Sequence, residues 1–68
     1  MTHYEIHRKL EDIRAMVGDP EIAHGAVDAL YVAVLTAIRD GTLTMITAKA
    51  AAEMALQAEA IEFPRWCA

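Results

Sequence analysis

At 68 residues with a single cysteine, Cys67, the chain has room for one domain (1–68) and no internal disulfide to staple it. A domain of this length hides only about 60% of the surface its unfolded form exposes, so its own core is marginal. A net charge of −4 argues against nucleic acid, whose backbone is bound by Lys and Arg, and leaves protein contact or a small ligand as the functional classes to weigh.

Thr2 followed by Glu5 forms the Thr-x-x-Glu capping box, which predicts a helix starting at Thr2. Ile6, Leu10, Ile13 and Val17 recur at helical spacing on one side, with Glu5, Arg8, Lys9 and Asp12 facing water, and Gly18 is expected to close the helix. His3, His7 and Glu11 follow at successive four-residue steps and form one possible metal face, against a plain reading as partly exposed groups beside the apolar stripe.

Asp19 as N-cap, Pro20 in the first turn and Glu21 at the positive helix end predict a second helix from Asp19 to Asp40, stopped by Gly41. At 100° per residue, Glu21, His24, Asp28, Thr36 and Arg39 make a narrow polar strip into which Val32 and Leu35 intrude. Ile22, Val27, Leu30, Tyr31, Val34 and Ile38 fill most of the remaining circumference, more than two flanking helices can cover. Glu21, His24 and Asp28 at i, i+3 and i+7 share one face and are the candidate ligand or metal set. The plainer reading gives Glu21 to the helix end and pairs His24 with Asp28. Gly25 beside them permits close approach by another backbone or a ligand.

A third helix is expected from about Met45 to about Glu62, with Thr44 and Thr47 as unranked caps. Its Lys49, Glu53 and Gln57 form a solvent strip, with Ala48, Ala51, Met54, Ala55, Ala58 and Ile61 opposite. Pro64 disfavours helix at Phe63, so a short extended tail follows. That tail holds Arg65 and the only tryptophan, Trp66, and is expected to fold back on the core, with recognition of another protein as the alternative. Cys67 has no activating neighbour in sequence and reads as inert.

The fold class is therefore all-α: a small domain of three helices around a long apolar central helix. The composition, 56% hydrophobic against 24% charged, is apolar for so small a domain, and much of the apolar share is alanine, which buries little area. Both points predict a homo-oligomer, with a twofold dimer joined through Leu30, Tyr31, Val34 and Ile38 as the expectation. No apolar run approaches the ~20 residues of a membrane span, and Met1-Thr2-His3-Tyr4-Glu5 is not of signal type, so no membrane and a cytoplasmic location are expected. No cofactor motif is present.

Asp19-Pro20-Glu21, Ala23-His24, Asp28, Leu30, Val34-Leu35, Ala37-Ile38 and the ending Ile61-Glu62-Phe63-Pro64-Arg65-Trp66-Cys67-Ala68 resemble a group of small uncharacterised bacterial and phage proteins. The likeness lies in an Asp-x-Glu-x-Ala-His helix start and an Ile-x-Phe-x-Arg-Trp ending. The group commonly has an acidic pair where this chain has Val27-Asp28, so half of that feature is missing here. The resemblance implies a phage- or bacterium-encoded cytoplasmic accessory protein, with Arg65 and Trp66 as residues to test. On function, the expectation is a non-catalytic interaction module, a regulator or inhibitor acting as a homo-oligomer. The alternative is a metal- or small-ligand-binding protein, conceivably a hydrolase, using Glu21, His24 and Asp28 across an oligomer interface.

Overall fold

The Thr2 hydroxyl accepts the Glu5 N–H at 3.1 Å while the Glu5 carboxylate accepts the Thr2 N–H at 3.1 Å, so the first helix opens on a closed capping box. In the computed structural model, which describes residues 1–65, this helix is α1 (His3–Ala15). It buries Ile6, Leu10 and Ile13. It ends earlier than its apolar spacing suggests: the Met16 N–H bonds the Ile13 carbonyl and the Asp19 N–H the Met16 carbonyl, tightening the chain into a turn. Val17 consequently leaves the stripe and is exposed, and Gly18 serves the connection without a left-handed conformation.

Asp19 caps α2 (Pro20–Arg39), accepting the Ile22 N–H at 3.4 Å, with Pro20 in the first turn. The helix ends in a Schellman motif. Gly41, at φ +70°, donates to the Ile38 carbonyl at 3.1 Å, and the Thr42 N–H reaches back to the Ala37 carbonyl at 3.0 Å. Thr44 and Thr47 then act together: each hydroxyl accepts the other's N–H, at 3.1 and 2.7 Å, and α3 (Met45–Leu56) begins.

The expected continuation of α3 to Glu62 is corrected by the structure. The α-helix stops at Leu56 and Gln57–Ala60 form a 3-10 turn, closed by the Ile61 N–H on the Ala58 carbonyl. In that tighter winding residues three apart eclipse, which lets both Ala58 and Ile61 point inward. One terminal nitrogen of Arg65 donates to the Ala58 carbonyl at 3.0 Å and the Ile61 carbonyl at 2.9 Å, and its guanidinium lies 4.0 Å from the Phe63 ring centre. A fixed cation thus satisfies carbonyls at the end of the turn, the place where a helical segment leaves acceptors unpaired. Phe63 packs on the core, so the tail folds back as far as Arg65. The readings of Trp66 and Cys67 lie outside the described residues.

The three helices pack pairwise into a bundle, and the described residues contain no strand. Ile6, Leu10 and Ile13 of α1 meet Val27, Leu30 and Val34 of α2 and the alanine face of α3, Ala51 and Ala55, with Ala58 and Ile61 beyond. Small side chains on α3 allow it close to its neighbours. No polar or charged side chain is buried among the described residues, so the interior is held by apolar packing alone. Contrary to the expectation from the sequence, α2 is long and apolar enough, by length and composition, to cross a membrane. In this fold Ala23, Val27, Leu30, Val34 and Ala37 of that helix are buried by the chain's own packing.

Candidate functional site

The polar triad on α2 does not converge. Glu21 and Asp28 are exposed and His24 is half-buried. His24 Nε2 lies 3.9 Å from Asp28 Oδ1, a half-buried group and an exposed one a turn apart, and Glu21 does not join them. Gly25 faces open space among the described residues, where an added Cβ would meet nothing within 4 Å, so neither α1 nor α3 uses it for close approach. On α1, Glu11 takes Arg14 at 2.7 Å and stands 4.0 Å from His7, on the outer surface. Among the described residues no three His, Cys, Asp or Glu side chains gather as a metal-holding group.

The site with form is apolar. Tyr31, Leu35 and Ile38 succeed one another along one edge of α2, and Ala52, Ala55 and Leu56 along the facing edge of α3, with Val34 beneath. Between them runs an open groove of about 360 Å³. Leu35 is 65% exposed and Leu56 63%, so the rims are large aliphatic groups left in water. Among the described residues, Glu59 is the one charged residue of the lining. Its Oε1 accepts the Tyr31 hydroxyl at 2.8 Å, joining the middle of α2 to the turn after α3 and fixing the antiparallel register of the two segments.

Burial, the hydrogen bond donated to Glu59 and that carboxylate's negative charge all favour the neutral phenol, and the Tyr31 pKa is pushed up to about 12. Arg65 opposes the shift, and Asp28 adds to it. At neutral pH this end of the groove is therefore a neutral hydroxyl bound to a carboxylate. Apart from Tyr31 and Glu59 the described lining is aliphatic, a surface that can exclude water from an apolar partner.

The expected interface residues divide. Leu30 and Val34 lie in the chain's own core, at 1% and 4% exposure, packed with residues of α1 and α3, and Val34 also lines the floor of the groove. Tyr31 and Ile38 do reach the groove, and Arg65 is engaged by main-chain carbonyls. Leu56, Ala52 and Glu59 carry no mark of a site in the sequence taken alone, where Leu35 stands as an intruder in the polar strip. The only signal is spacing, since Tyr31, Leu35 and Ile38 have helical i, i+4, i+7 spacing, as Ala52 and Leu56 have i, i+4 spacing. No protein-family model matches the sequence, nor does any curated protein or solved structure.

Proposed function

We infer that this chain is a non-catalytic protein-interaction module that engages another polypeptide through the α2/α3 groove. The observation carrying this reading is the continuous apolar face bounded by Leu35 and Leu56, both exposed on a domain whose described interior holds no polar side chain. Exposed aliphatic rims around an apolar trough raise the free energy of the isolated chain and lower it when another apolar surface displaces their water. A role as a small regulator or inhibitor in the cytoplasm of a bacterium, or of a phage-infected one, accords with this surface and with the acidic charge.

A photo-crosslinking residue placed at Leu35 in producing cells of the native host tests the reading, with the same residue at Arg8 on the outer side of α1 as control. A polypeptide adduct formed at position 35 and absent at position 8 is the expected result. Equal labelling at both sites, or no polypeptide adduct at position 35, overturns it.

A further inference from the structure

We propose that the Tyr31 end of the groove is the seat of the chain's own tryptophan, Trp66, so that the tail closes in cis the face that takes a partner. The docking stands on where the described chain ends, and only its consequence for a partner rests on the interaction reading above.

Arg65, the last described residue, is held at that end. Its guanidinium is fixed by the carbonyls of Ala58 and Ile61, which flank Glu59 in the turn after α3, and Glu59 lines the groove and receives the Tyr31 hydroxyl. The positive charge of Arg65 is felt at Tyr31, where it works against the upward shift of the phenol. Trp66 follows one Cα step of about 3.8 Å later, and the three residues 66–68 extend at most about 10 Å. That reach suffices for the near end of the groove, which runs about 10 Å along α2 from Tyr31 to Ile38. A second hollow, between Met1, Leu43 and Thr44, lies at the other end of α3, about 18 Å from Leu56 along that helix, and is out of reach.

The groove suits an indole. Val34 and Ala55 lie at its base, each 4% exposed, and Leu35 and Leu56 stand up as walls between which a flat ring fits. Seating the ring there removes its own apolar area and that of both leucines from water. A buried indole N–H needs an acceptor. The Glu59 carboxylate supplies one, since it takes the Tyr31 hydroxyl through Oε1 and has acceptor capacity for more than one hydrogen. Tethered one residue beyond a fixed arginine, Trp66 acts on the groove at an effective concentration on the order of millimolar or above, so a partner has to displace it.

Trp66 is the only tryptophan, so the fluorescence of the whole chain reports its seat. Native emission should be blue-shifted from that in denaturant and protected from acrylamide, and should be the same at roughly 1 and roughly 100 μM protein, a range over which weak dimers would form. Leu35→Asp, folded by far-ultraviolet circular dichroism, should shift the emission to the red, whereas Ile46→Asp, exposed at the far end of α3, should not. If Leu35→Asp loses its helicity, Leu35→Ala decides in the same way. Emission like that in denaturant overturns the docking. A blue-shifted emission untouched by the folded Leu35 variant, or moved equally by Ile46→Asp, overturns the groove as the seat. Emission that changes with concentration overturns docking in cis. In the crosslinking experiment at position 35, Trp66→Ala should raise the yield of partner adduct severalfold, and an unchanged yield overturns the competition. No adduct from either chain sinks the interaction reading and leaves the seat of Trp66 to be judged by its fluorescence.

Discussion

Tyr31 shows how a single side chain ties the bundle together and gives it a measurable signature. Its hydroxyl donates to Glu59 at 2.8 Å, and its pKa is pushed from 10.0 up to about 12 by burial first and by that carboxylate second. The folded state thus holds the phenolic proton after the unfolded state has released it. Stability from this group is fully present below pH 10, falls as pH rises, and is lost through about pH 12. In a Tyr4→Phe background, phenolate absorbance should titrate near 12 in the native protein and near 10 in denaturant. A native midpoint at 10 would show that the Glu59 bond does not form in solution.

At the scale of elements, the helix ends are the best-determined parts of the molecule. Thr2 with Glu5, Asp19 with Pro20, Thr44 with Thr47 and Gly41 with Thr42 each satisfy orphan backbone groups through residues a few positions apart, so these boundaries follow from local chemistry. The two ends that differ from expectation, Ala15 and Leu56, are set by three-residue hydrogen bonds that redirect the chain toward its next packing surface, and apolar periodicity carries no sign of them. Gly25 is the opposite case, a residue that weakens its element with no packing return. It is helical and open on the side a Cβ would occupy, so Gly25→Ala should stabilise the protein by about 1 kcal/mol. For a domain this size that raises the thermal midpoint by roughly 4–8 °C, readable by circular dichroism. A lower midpoint would mean that something occupies the space beside α2.

For the whole molecule, the division between interior and face is decided by which α2 neighbours α1 and α3 reach. Val34 and Leu35 are adjacent in sequence and both aliphatic, yet one is 4% exposed and the other 65%. Aspartate at the first position buries an unpaired charge at a cost of several kcal/mol, comparable with the total stability of a small domain, and Val34→Asp should be unfolded by circular dichroism. Leu35→Asp should keep its helicity and lose only what binds in the groove. If both unfold, the α2/α3 face is part of the folding unit of the chain itself. The candidate site was only half legible for this reason. Tyr31, Ile38 and Leu35 could be grouped by spacing, but the groove exists only once Ala52 and Leu56 of α3 are laid beside them.

What the sequence alone determined is therefore local: three helices, their starts, the glycine stop after α2, and an apolar content high for a lone bundle. Those features follow from backbone groups and side chains within one or two turns of each other. The polar strip on α2 shows the limit, because Glu21, His24 and Asp28 share a helical face by spacing and still form no joint site. Only the tertiary structure assigned Leu30 and Val34 to the core and Leu35 and Leu56 to the surface. It alone matched Tyr31 to a carboxylate 28 residues away and turned Arg65 onto main-chain carbonyls and over the Phe63 ring. Burial is a property of what packs alongside a helix, and the helical period cannot say which of several apolar faces a neighbour will take.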